Sequence, residues 1–176
     1  MTTTIKPGFT RVTDLLKPWQ DFSGIPEEVL EAKALIGTNV HEAINLFTMG
    51  LPYQGLTERE EKYLDSYKRW EEKTCPTFLM AERRLDCEDL KLTGQIDAII
   101  KLPGQDKGMV VDFKCSANPS PLHWPIQIGW YDILCAQNGI ETNCKGMILQ
   151  LNDKGKSAKE YIYQIDTTSI KNCWNV

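Results

Sequence analysis

The segment Leu92-Thr93-Gly94-Gln95-Ile96-Asp97-Ala98-Ile99-Ile100-Lys101-Leu102 is followed by Pro103-Gly104-Gln105-Asp106-Lys107 and then by Gly108-Met109-Val110-Val111-Asp112-Phe113-Lys114-Cys115. Two short apolar runs rich in β-branched residues, separated by a Pro-Gly signal, read as two strands joined by a hairpin turn. In the first run Ile96, Ala98 and Ile100 alternate with Asp97, Ile99 and Lys101. In the second, Val111, Phe113 and Cys115 alternate with Val110, Asp112 and Lys114. Strand side chains alternate between faces, so Asp112 and Lys114 share one. Pairing Leu102 with Lys107 across a four-residue turn sets Asp97 directly opposite Asp112, with Cβ atoms roughly 4.5–5.5 Å apart. A slip of one residue would pair Asp97 with Phe113 and send the acids to opposite faces. We adopt the first register because it makes a site.

Two close carboxylates on a mostly buried strand pair repel each other unless something positive lies between them. A hard divalent cation fits, since Mg²⁺ takes oxygen ligands and often uses only one or two carboxylates. Lys114 would then stand where an attacking water or a scissile phosphate would lie, and the group suits phosphodiester hydrolysis. The bland alternative for Asp112 and Lys114 is the exposed, ion-paired face of an edge strand. The apolar surroundings and the second acid weigh against it.

Working outward, residues 77–86 read as a strand before the hairpin, and roughly 145–151 and 160–166 as two more after it. A helix starts at Pro26-Glu27-Glu28, with acids against its dipole. Gly37-Thr38 is expected to interrupt it, Thr38 capping a second piece that runs to Met49. Thr57-Glu58-Arg59-Glu60 is a capping box opening a helix to about Lys73, with Tyr63, Tyr67 and Trp70 on one stripe. Residues from about Leu122 to Gln137 form another helix, ended by Asn138-Gly139. Residues 1–24 read as an irregular arm broken by Pro7, Gly8, Pro18 and Gly24, whose Leu15, Leu16, Trp19 and Phe22 dock on the body. The expected architecture is a single mixed α/β domain over 1–176, with one central sheet covered by helices.

Bulk properties set few limits. The chain has 176 residues, 41% hydrophobic and 25% charged, with a net charge of −4, enough for a sizeable core without disulfides. Acidity argues mildly against nucleic acid, but a local basic groove or bound metal escapes such counting. There is no apolar run of signal-peptide or membrane-span length, which leads us to expect the cytoplasm, or a host cytoplasm for a viral protein. Cys75, Cys87, Cys115, Cys135, Cys144 and Cys173 include no Cys-x-x-Cys pair. They read as reduced, mostly buried thiols, and their spacing argues against an iron–sulfur cluster.

Gly94-x-x-Asp97, Asp112-x-Lys114 and Gln127-x-x-x-Tyr131, together with Gly37-Thr38-Asn39-Val40-His41-Glu42 upstream, resemble the motifs of the PD-(D/E)XK nuclease superfamily. They look closest to its RecB-type, phage exonuclease-like branch. The resemblance spans about residues 37–131, each motif being short and the ordered set of four fairly specific. It implies a restriction-endonuclease-like core and a Mg²⁺- or Mn²⁺-dependent DNA exonuclease, using one or two ions, of DNA recombination, repair or phage metabolism. His41, Asp97, Asp112 and the Phe113 carbonyl would ligate metal, and Lys114 would be the catalytic lysine. Gln127, Tyr131 and Ser116 would contact DNA. Glu82 resembles an acid found upstream in some members, orienting Lys114 or touching a second metal. A structure-specific or restriction-like endonuclease, or a silent DNA-binding module on the same fold, are the alternatives. With no Gly-x-x-x-x-Gly-Lys loop, unwinding would fall to a helicase or recombinase partner, and a homo-oligomer is compatible with the branch.

Overall fold

A computed structural model describes residues 5–19 and 24–172. A two-residue strand β1 (Thr10–Arg11) leads into one turn of helix α1 (Val12–Leu15) and a 3₁₀ turn at Lys17–Trp19. Two long helices follow, α2 (Glu27–Thr48) and α3 (Glu58–Thr74), then strands β2 (Thr77–Cys87), β3 (Leu92–Lys101) and β4 (Gly108–Lys114). Helix α4 (His123–Gln137) crosses to β5 (Thr142–Gln150), β6 (Lys159–Gln164) and the short α5 (Thr167–Asn172).

The expected mixed α/β architecture is present: one six-stranded sheet, flanked by helices, with antiparallel β2–β3, β3–β4 and β5–β6 pairs and a parallel β4–β5 pair. Its two faces carry two separate apolar clusters. One gathers α4 with Leu16, Leu92, Ile96, Ile99, Val110 and Ile148. The other gathers Val40 and Ile44 of α2, Tyr63, Tyr67 and Trp70 of α3, and Ala98, Ile100, Met109, Val111 and Phe113. The aromatic stripe on α3 is therefore core, as are Trp124, Ile128 and Trp130 on α4.

Several local expectations need correction. Helix α2 is not interrupted at Gly37. Thr38 stays helical and its hydroxyl donates to the Ala34 carbonyl at 3.1 Å instead of capping, the bond a mid-helix threonine makes when the ladder is already intact. Ile96 does not share a face with Ala98 and Ile100: it packs on the α4 side and they pack on the other. Strand alternation therefore breaks at Asp97. The N-terminal arm is less irregular than its breakers imply, because β1 pairs in parallel with Leu92 and Thr93 and Leu16 is buried. Leu15 packs beside it, while Phe22 lies outside the described residues. Among the described residues Cys87 and Cys135 are buried, Cys115 is half-buried, and Cys75 and Cys144 are exposed. Cys173 lies outside the described residues. The Thr57 capping box forms as expected, Glu60 accepting the Thr57 N–H at 2.7 Å. Among the described residues no helix is long and apolar enough to cross a membrane.

Candidate active site

The hairpin has the expected register: Ala98 pairs with Val111, Ile99 with Val110 and Ile100 with Met109. The ladder stops there, one pair before the acids. On the other edge of β3, Ala98 pairs with Ala81 and Ile96 with Arg83, leaving Glu82 and Asp97 facing but unpaired. Glu82, Asp97 and Asp112 thus stand at one level across three strands. β2 occupies the whole of one β3 edge, so β1, at Leu92 and Thr93, must share the opposite edge with β4. Between them the β3 edge at residues 94–97 has no strand partner among the described residues. A cavity of about 180 Å³ beside this notch is lined by Arg11, Thr13, Gly94, Gln95 and Tyr131.

The notch frees backbone groups, and side chains take them. The Phe113 N–H donates to Asp97 Oδ2 at 2.7 Å, and the Phe113 carbonyl lies 3.0 Å from His41 Nε2. His41 Nδ1 lies 3.3 Å from Asp97 Oδ1. The His41 ring meets Phe113 edge-on, so α2 delivers the imidazole to the mouth of the hairpin. Asp112 is held from two directions: Lys114 Nζ lies 2.7 Å from Oδ2 and Gln127 Nε2 donates to Oδ1 at 2.8 Å. The same Gln127 nitrogen donates to the Tyr131 hydroxyl at 3.0 Å.

Glu82 joins this group through strain. Its φ of 46° is left-handed, a conformation costing a non-glycine residue roughly 1–2 kcal/mol. The kink turns its carboxylate inward, where Gln95 donates to Oε2 at 2.9 Å and the buried Oε1 has no hydrogen-bond partner among the described residues. His41, Glu82 and Asp97 offer ligand atoms within 4.8 Å of one another. Asp112 stands outside this trio, its oxygens engaged by Lys114 and Gln127. Imidazole with carboxylates is a donor set suited to Mn²⁺ as well as to the harder Mg²⁺, and an orphaned, buried carboxylate oxygen is what a cation would satisfy.

Electrostatics follow from this crowding. Burial works against charge on His41, but the Asp97 carboxylate outweighs it and lifts the imidazole to about 9. Burial likewise opposes charge on Asp97, yet His41 and Lys114 hold its carboxyl below the usual range. Burial pushes Asp112 up to about 6, with Lys114 pulling the other way and Asp97 adding to the rise. Burial and the nearby Asp97 also raise Glu82. Lys114, despite burial, is held charged by Asp112.

The remaining sequence candidates fall as follows. Gln127 and Tyr131 are 5% and 3% exposed, and their polar ends meet Asp112 and each other rather than solvent. Ser116 is exposed, just past Lys114. His123 opens α4 with Nδ1 2.8 Å from the Ser120 hydroxyl. Gly94 lies under the Tyr131 ring, where an added Cβ would come within 2.9 Å of Tyr131 Cε1. Sequence reasoning did not single out Gln95, although it lies two residues from Asp97 in the same strand.

A family model described as the PD-(D/E)XK nuclease superfamily matches residues 15–171. The chain belongs to that superfamily. Among solved structures, the folded elements of this chain resemble those in the crystal structure of SSO0001, with a TM-score of 0.56 at 17% identity, covering 99% of this chain and 76% of that one. They also resemble an alkaline exonuclease from Laribacter hongkongensis, with a TM-score of 0.51 at 11% identity, covering 96% and 83%. At these identities the likeness is one of fold. No curated protein matches the chain.

Proposed function

We propose that this PD-(D/E)XK protein is a Mg²⁺- or Mn²⁺-dependent deoxyribonuclease that degrades DNA from an end. The observation that carries the reading is the notch itself: strands β3 and β4 part where Asp97 and Asp112 face each other, with Lys114, His41 and Glu82 around them. The alkaline exonuclease among the similar structures favours the exonuclease form over an endonuclease. We read the chain as one domain acting on DNA in the cytoplasm, in recombination, repair or phage DNA metabolism, with unwinding left to a partner.

His41, Glu82, Asp97, Asp112 and the Phe113 carbonyl are the groups that would hold one or two ions. A divalent ion, when bound, supplies Lewis acidity toward the phosphate. Lys114 contributes a fixed ammonium for the negative charge that grows on the phosphate oxygens in a low-dielectric site. Gln127 orients Asp112, and Tyr131 orients Gln127. Purified protein is expected to degrade linear DNA with Mg²⁺ or Mn²⁺, to stop with chelator, and to spare covalently closed circular DNA. Cleavage of closed circles would make it an endonuclease; no cleavage of any DNA would sink the nuclease reading.

The same geometry sets a pH dependence for metal binding. His41 and Asp112 both have folded-state pKa values above their ordinary ones, about 9 and about 6. Their protonation therefore favours the metal-free fold, a contribution present at low pH and lost as pH rises through 6 and then 9. Ligands must lose these protons to take an ion. The rise in Tm on adding Mn²⁺ is expected to grow steadily from pH 5.5 to pH 9 in thermal melts. A constant rise across that range would place the ion away from His41 and Asp112.

A further inference from the structure

The three acids of the site are held in different ways. Asp112 has the Lys114 ammonium and the Gln127 amide. Asp97 has His41 and the Phe113 N–H. Glu82 has a neutral group alone: among the described residues it forms no ion pair, and its hydrogen bond comes from Gln95 Nε2, 2.9 Å from Oε2. A carboxylate oxygen at that distance requires a donor, which fixes the orientation of the Gln95 amide. The other oxygen, Oε1, is buried and has no hydrogen-bond partner among the described residues.

The strand register explains the reach. Gln95 pairs with Arg84 and Glu82 stands level with Asp97, so Gln95 and Glu82 are diagonal neighbours, a spacing that long side chains span. Glu82 needs such a hold. It lies on β2, which pairs with β3 alone among the described residues, and its neighbour across the strands is another carboxylate. Repulsion from Asp97 and the left-handed φ of 46° both favour release of the side chain toward water. A lysine or arginine at position 95 would also hold it, but would cancel the charge a cation must use. A neutral amide holds one oxygen and leaves the charge in place. The ligand atoms of His41, Glu82 and Asp97 lie within 4.8 Å of one another. We propose that Gln95 is a positioning residue: by fixing Glu82 Oε2 it keeps Oε1 turned toward His41 and Asp97 as a ligand atom for a divalent cation.

This rests on the cation site of the proposed nuclease, and its test reads the ion rather than cleavage. The full chain is titrated with Mn²⁺ alone at fixed pH, and the free ion is counted by electron paramagnetic resonance. Gln95→Leu is expected to weaken Mn²⁺ binding about tenfold, the scale on which partners that orient a metal ligand act. Gln95 borders the cavity beside the notch, so leucine fits there without overpacking. Glu82→Ala should weaken binding by itself, and adding Gln95→Leu to it should change Kd less than twofold, because the amide then has no carboxylate to hold. A merely structural role for Gln95 would weaken binding in both backgrounds. Gln95→Asn, which keeps an amide but falls one methylene short of Glu82, should match Gln95→Leu and replaces it if that variant does not fold. Wild-type Kd in the Gln95 variants overturns the proposal, and so does an equal loss with and without Glu82. If the wild type binds no Mn²⁺, the cation site falls and the proposal falls with it. If it binds Mn²⁺ yet cleaves no DNA, the nuclease reading fails and the role of Gln95 is still decided by the titration.

Discussion

Replacing Lys114 with methionine is expected to lower kcat by roughly 10²–10³, the range found when one pre-placed donor to a developing anion is removed. Lys114 lies 2.7 Å from Asp112 with a quarter of its side chain exposed. Methionine keeps the stem in place and removes only the ammonium. Asp112→Asn should cost a similar factor through loss of the carboxylate, and it should not lower Tm, because burial already makes ionisation of Asp112 unfavourable. The two changes act on one unit, so the double variant is expected to lose little beyond either single one. Single-turnover cleavage of linear DNA together with thermal melts checks both halves. Wild-type rates in Lys114→Met would remove Lys114 from the chemistry altogether.

The largest stability effect is expected at Gly146 rather than at the acids. Gly146 lies on β5 beneath α4, where an added Cβ would overlap Ile128 Cγ2 and come within 3.3 Å of Ile165 Cδ1. Ile128 is fully buried and β-branched on a helix, so one rotamer is strongly preferred and it cannot swing aside. Gly146→Ala should therefore cost roughly 1–3 kcal/mol by overpacking. For a chain of this size that lowers Tm by roughly 3–10 °C. The strain reaches the site, because Ile128 adjoins Gln127, which orients Asp112. Pairing Gly146→Ala with Ile128→Ala should give a Tm higher than the sum of the separate losses allows. An unchanged Tm in Gly146→Ala would mean that α4 and β5 are not in close contact.

Much of this site was legible because it is local. Asp97 and Asp112 lie in one hairpin, and counting from a four-residue turn sets their register through the strand period. Asp112 and Lys114 share a face for the same reason, and Lys114 Nζ does meet Asp112. The capping box at Thr57 and the end of α4 at Gln137 are likewise written in short runs of chain.

Tertiary structure decided the rest. The notch depends on β1 joining β3 at Leu92 and Thr93, a contact spanning some eighty residues that no local period encodes. His41 reaches the Phe113 carbonyl across 72 residues because Val40, Ala43 and Ile44 seat α2 against the sheet. Glu82 enters the group through a left-handed kink, and Ile96 changes face at Asp97, both departures from regular alternation that only neighbouring strands impose. Sequence alone determined which acids and which lysine share the hairpin, because adjacent strands obey a fixed repeat. Packing between distant elements determined where the hairpin opens and what surrounds the opening, because burial and backbone hydrogen bonding are settled by the whole fold.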